Sequence, residues 1–240
     1  MPQGITSDAF SWPFFEAATV RVNPDATITV LTGSHSHGQG HETSFAQVVA
    51  EKLDIPIDKI DVVHGDTGKV PYGVGTFASR SMSLGGGALS LGIDKIVAKG
   101  KKIAAHVLES TPDDIDFIDG YFQVHDSDRL MSFTEVVELA YLPGNYPLEE
   151  LEPGLEETTY FDPPGYTFPA GCHICEVEVD RETGQLEVLN YCIGDDFGVI
   201  INPMIVEGQV HGGVAQGVGQ ALMEHAIYDK DSAQLLSGSF

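Results

Sequence analysis

The sequence is poor in positive charge. Twelve lysines and arginines stand against 36 aspartates and glutamates, a formal charge of −24 over 240 residues. A surface of that sign repels phosphate backbones, so nucleic acid is not an expected partner. Any anion bound here must rest on backbone N–H groups and a few local cations. Cysteine is scarce too, and three residues in a chain this long do not make a disulfide framework. No run approaches the ~20 apolar residues of a membrane span. The stretch Met1 to Pro13 has neither a basic n-region nor an apolar h-region, so the expectation is a cytoplasmic protein without a membrane anchor. With 42% hydrophobic residues and a mean hydropathy of −0.02, the chain can build one large domain or two small ones.

What is present gathers in a few polar, glycine-rich stretches. The first runs from Gly33 to Thr43, Gly-Ser-His-Ser-His-Gly-Gln-Gly-His-Glu-Thr. It leaves a β pattern, Thr27 to Leu31, and enters a helical one marked by Phe45, Val48, Val49 and Leu53 and stopped by Pro56. Gly38 and Gly40 let backbone approach a ligand, and the first N–H groups of the helix have no intrahelical acceptor. Together they predict an anion site. Upstream, Ala18 to Val22 and the turn Asn23-Pro24-Asp25-Ala26 complete a hairpin, and downstream Ile60 to His64 reads as a short strand.

The second stretch, Tyr72 to Ser81, packs Thr76, Ala78, Ser79, Arg80 and Ser81 behind Gly73 and Gly75. A lone arginine among hydroxyls in so acidic a chain is a candidate anion ligand; the competing reading is a surface ion pair. Gly85-Gly86-Gly87 then open a helix striped by Leu89, Ile93, Ile96, Val97, Gly100, Ala104 and Val107. Next come an Asp119-Gly120 hairpin and a capping box, Ser132 to Glu135, starting a helix through Leu142. Residues 143–164, rich in Pro, Gly and Glu, read as an acidic loop joining two lobes, about 1–142 and 165–240.

Cys172 and Cys175 lie in a strand-like alternation, where residues three apart face opposite ways and cannot share a metal. A hairpin through Asp180 to Gly184 leads to the third polar stretch, Gly194-Asp195-Asp196-Phe197-Gly198. Asn202-Pro203 starts a helix that carries Gly208, Gly212, Gly213, Gly217 and Gly219, with Gln209, His211 and Gln216 as its polar groups. Each helical glycine costs roughly 1 kcal/mol relative to alanine, which predicts close packing against a backbone or a flat ligand.

In this order these motifs resemble the molybdenum-binding large subunit of aerobic carbon monoxide dehydrogenase and the related xanthine and aldehyde oxidoreductases. The residues that carry the resemblance are Gly38-Gln39-Gly40-His41-Glu42-Thr43, Val62-Val63-His64-Gly65-Asp66-Thr67, Ala78-Ser79-Arg80-Ser81, Asp196-Phe197-Gly198-Val199-Ile200-Ile201-Asn202-Pro203 and Val206-Glu207-Gly208-Gln209-Val210-His211. The resemblance implies an α+β fold of mixed short-stranded sheets with packed helices, and a molybdopterin cytosine dinucleotide cofactor. It implies that Gly38, Gln39, Gly40 and His41 approach the pterin, with Gln39 near molybdenum but no direct metal ligand. Thr76, Ala78, Ser79, Arg80 and Ser81, with Asp195, Asp196, Phe197 and Asn202, would hold the dinucleotide.

The same resemblance implies that the family's large subunit begins upstream of residue 1 and that its glutamate base lies beyond Phe240. The expected partners are that upstream half, iron–sulfur and flavin subunits, and a small-molecule substrate. Apolar surface meant for the missing half would favour a homodimer. Carbon monoxide dehydrogenases proper have Gln at the position of His37 and commonly Cys at that of Phe197, so carbon monoxide, an aldehyde or an N-heterocycle all remain open as substrate. Two other classes also stay open: a metal site built from His35, His37 and His41, and a cofactor-binding or assembly module without turnover.

Overall fold

A computed structural model describes residues 15–142, 144, 146–165 and 167–238. Alternating small and β-branched residues make strand β1 (Glu16–Val22), and a turn brings β2 (Ile28–Thr32) back antiparallel, Val20 opposite Val30. Helix α1 (His41–Leu53) then carries the chain across to β3 (Ile60–Val63), parallel to β2. The helix ends at Leu53, because Asp54 takes the left-handed αL conformation at φ 50 and Pro56 follows.

The long helix α2 (Gly86–Val107) runs over this sheet, burying Ala88, Leu89, Ile93, Ile96, Ile103 and Ala104 with Val20, Val22, Ile28 and Val30. Burial of each larger aliphatic side chain contributes roughly 1.5–3 kcal/mol, so this layer carries much of the stability. The expected helix therefore exists, but it begins earlier: a π-helical turn, Ser81–Gly85, runs directly into it. Beyond it, β4 (Ile115–Ile118), β5 (Tyr121–Val124) and β6 (Leu130–Ser132) form a second sheet, with Asp119 and Gly120 both at positive φ in the tight turn. The capping box at Ser132 and Glu135 starts helix α3 (Phe133–Tyr141) as expected.

The acidic loop expected over residues 143–164 needs correction. Strand β7 (Leu155–Phe161) lies inside that range and completes the first sheet, whose order is β3-β2-β1-β7. The physical reason is long-range: Leu155 and Thr159 are buried, and Arg21 of β1 meets Glu156 at 2.7 Å. A glutamate-rich stretch thus pairs over its full length with the sheet's central strand. Pro143 lies outside the described residues, as do Met1 to Pro13, Ser239 and Phe240.

Strands β8 (Ala170–Val179) and β9 (Leu186–Asp196) form a long two-stranded ribbon with a bulge after Glu176. Cys172 and Cys175 are both exposed on β8. The chain divides into two compact units, Met1–Ile201 and Asn202–Phe240. The second unit holds helix α4 (Pro203–Leu222), capped by Asn202, whose side chain accepts from Ile205 N at 3.1 Å. Close packing of its glycines does not occur among the described residues: space beside Gly208, Gly212, Gly213 and Gly217 is open. No described helix is long and apolar enough to cross a membrane.

Candidate functional site

The site begins where β2 ends. Gly33 is pressed against the backbone of Gly73 and the carbonyl of Tyr72, where no Cβ would fit. Gly75 N donates to Gly33 O at 3.2 Å. The loop after β2 and the loop ahead of α2 are thereby joined. A side chain on Gly85 would meet Ser34 Oγ at 3.0 Å and Phe45 Cζ at 3.2 Å, so the π turn leading into α2 also packs beside the first turn of α1. Two helix entrances sit side by side, and neither N-cap, Gly40 or Arg80, is a side-chain cap. N–H groups in such positions favour an anion.

Within the first loop Gly38 and Gly40 take φ 104 and 74. The half-buried Gln39 folds back on His37: its Oε1 accepts from His37 N at 2.5 Å, and its amide nitrogen lies 3.3 Å from His37 Nδ1. His35 Nδ1 lies 3.2 Å from His37 Nε2, and His64 Nε2 lies 2.7 Å from Glu42 Oε1. The Glu42 carboxyl is held low by its own backbone N–H at the helix start and by His64. Burial pushes the His41 imidazole down, against the pull of Glu42. Among the described residues no group of three His, Cys, Asp or Glu is arranged to hold a metal ion, which removes the reading of His35, His37 and His41 as a metal site.

That lowered imidazole has a consequence for stability. A group whose folded value lies below its unfolded value of about 6.5 stabilises the fold above that pH, and the contribution is lost as pH falls through the folded value. Thermal unfolding followed from about pH 7 to pH 5 should show a shallower decline in His41→Gln than in the wild type. Parallel curves for the two proteins would refute the assignment.

In the second loop Thr76 Oγ1 and Ser81 Oγ share a hydrogen bond of 2.8 Å. Ala78 and Ser79 are exposed, and both hold positive φ. Arg80 turns inward: it is 2% exposed, and its Nη1 donates to Glu16 Oε2 at 2.5 Å. Glu16, fully buried at the start of β1, has its carboxyl pushed up by burial and pulled back by Arg80. The ion pair weighed for this arginine is thus present but buried. Burial, then the Glu16 charge, pushes the Tyr72 phenol up. Glu16, Ser34 and Tyr72 were not candidates from the sequence. The one available signal was an acid opening an otherwise apolar strand.

The third stretch follows from the end of β9. His173 Nε2 lies 3.2 Å from both Asp195 carboxylate oxygens, and Asp196 Oδ1 accepts from Gly198 N at 2.8 Å. Phe197 is 44% exposed, and Asn202 caps α4.

The four buried side-chain polar atoms that lack a hydrogen-bond partner among the described residues are Ser34 Oγ, His41 Nδ1, Tyr72 OH and Arg80 Nε. All four lie on the two joined loops or at the first residue of α1. Buried polar groups are normally paired, so four orphans on two joined loops fit a polar ligand held there. Over residues 2–240 the sequence matches the family described as molybdopterin cofactor-binding domain. The chain belongs to that family.

Several large subunits resemble this molybdopterin cofactor-binding domain. The carbon monoxide dehydrogenase large chain of Hydrogenophaga pseudoflava is 40% identical over 90% of this chain and 26% of its own length. The nicotine 6-hydroxylase large subunit of Paenarthrobacter nicotinovorans is 38% identical over 95% of this chain and 28% of its own. The solved structure of reconstituted CO dehydrogenase from Oligotropha carboxidovorans superposes with a TM-score of 0.89 at 38% identity, over 94% of this chain and 28% of that one. The chain therefore spans less than a third of the relatives it matches, and the α+β fold expected from the resemblance is the fold found.

Proposed function

We propose that this domain holds the anionic side of a molybdopterin cofactor, in its cytosine dinucleotide form, across the loops 33–41 and 72–84. The carrying observation is the four orphaned buried polar atoms on the two joined loops and at the first residue of α1. In an acidic chain, backbone N–H groups are the fitting anion ligands, and these loops supply them. When bound, the molybdenum centre supplies oxidation chemistry for a small substrate. The chain's own residues bind and orient: Gly38 and Gly40 allow close approach, Gln39 is held toward the pterin by His37, and Ser79 and Ser81 present hydroxyls and amides. Arg80 offers its Nε, which has no hydrogen-bond partner among the described residues.

Asp195, Asp196, Phe197 and Asn202 contact the nucleotide in this reading. The activity is that of a cytoplasmic oxidoreductase catalytic subunit, completed by the rest of a large subunit and by iron–sulfur and flavin partners. Carbon monoxide, aldehydes and N-heterocycles are its candidate substrates. Amide hydrogen exchange of the assembled enzyme, with cofactor and after its removal, tests the reading. Amides of 37–43 and 78–84 should exchange about tenfold more slowly with cofactor present. Unchanged exchange in both loops would overturn it, and unchanged exchange at 194–202 would remove the third stretch from the site.

A further inference from the structure

The geometry points to Glu16 and Arg80 as a buried latch that sets the cofactor-facing loop ahead of α2, with both acting as positioning residues. The inference rests on the cofactor-binding reading above. One guanidinium ties the start of β1 to the loop ahead of α2: Nη1 donates to Glu16 Oε2 at 2.5 Å and to Gly75 O at 3.2 Å, and Nη2 donates to Phe15 O at 3.2 Å. The other carboxylate oxygen of Glu16 accepts from Ala17 N at 3.2 Å and lies directly under Gly33. The latch therefore underlies the point where the two loops meet.

The loop it holds is one that would not hold itself. Ala78 and Ser79 stand at φ 50 and 55, and Arg80 follows at φ −95 and ψ −21. A left-handed residue followed by a right-handed one turns successive N–H groups toward one side, a concavity suited to an anion. Non-glycine residues persist there only where the surroundings over-determine them. Because the Glu16 carboxylate neutralises the guanidinium, little of its charge is left for a phosphate. The backbone amides that it positions make those contacts instead.

Removing one member of a buried pair strands the other charge, whereas removing both with shape kept is nearly neutral. In the assembled enzyme, Glu16→Gln and Arg80→Met should each lower molybdenum and releasable cytidine nucleotide per subunit about tenfold, and the double variant should recover to within about threefold. Amides of 75–84 should exchange faster in each single variant and return in the double one, with Ile93–Ile103 unchanged throughout. A direct phosphate-binding Arg80 gives the opposite pattern: Glu16→Gln keeps its cofactor and the double variant is as empty as Arg80→Met. That result would overturn the latch. A wild-type enzyme without cofactor would sink the binding reading instead, and the latch would then be decided by exchange, unaltered rates in the single variants rejecting it. If a single variant does not fold, the double variant decides, a filled and protected site supporting the latch and an empty one refuting it.

Discussion

Gly33→Ala is expected to part the two loops, empty the cofactor site and lower the unfolding temperature. A methyl group there would overlap the Tyr72 carbonyl, the Gly73 backbone and the Glu16 carboxylate. Overpacking usually costs about 1–3 kcal/mol, and backbone neighbours yield less than side chains, so the upper end applies. For a unit of this size that corresponds to a fall of roughly 5–10 °C. Gly38→Ala is the control: its φ of 104 is strained for alanine, but nothing lies in the way, and its cost should be nearer ~1 kcal/mol. Calorimetry and molybdenum analysis of both variants decide the matter. A Gly33→Ala protein as stable and as well loaded as the wild type would mean that the loops do not need this contact.

The second large effect concerns the chain expressed by itself. On the β8–β9 ribbon Val177 faces Val188 and Val179 faces Leu186, with exposures of 46%, 38%, 52% and 37%. Between them Glu178 faces Glu187, so the opposite side is acidic. An uncovered apolar ribbon face invites association. The 240-residue chain should fold, bind a hydrophobic dye, self-associate at about micromolar concentration and retain no molybdenum. Val177→Asp with Val188→Lys should restore the monomer without unfolding it, as read by sedimentation and circular dichroism. A dye-silent monomer that carries molybdenum would refute this.

Much of the fold can be read in advance where a signal is local. The spacing of Phe45, Val49 and Leu53 names the buried face of α1, and Ser132 with Glu135 marks the start of α3. Asn202-Pro203 does the same for α4, while the close packing expected of its glycines is not found among the described residues. Strand β7 escaped because only Leu155 and Thr159 of Leu-Glu-Glu-Thr-Thr-Tyr-Phe are buried, and its pairing comes from β1, far away in the chain. Of the site, the loops were legible from their glycines and following helices. The orientation of Arg80 was not, since its carboxylate lies 64 residues upstream. A lone cation among hydroxyls looks outward until that partner is known.

The place of β7 also bears on the order of folding. Thr19 and Thr158 share a hydrogen bond of 2.8 Å across 139 residues, the span that separates the central strand from its edge neighbour. Contacts of such separation are slow to form, and during synthesis they wait until the later strand has left the ribosome. Until then β1 has β2 on one side and an open edge on the other, at the strand that bears Glu16. The nascent chain is thus most exposed to mispairing in the interval between making Arg80 and making Phe161, an interval in which a chaperone would have the most to protect.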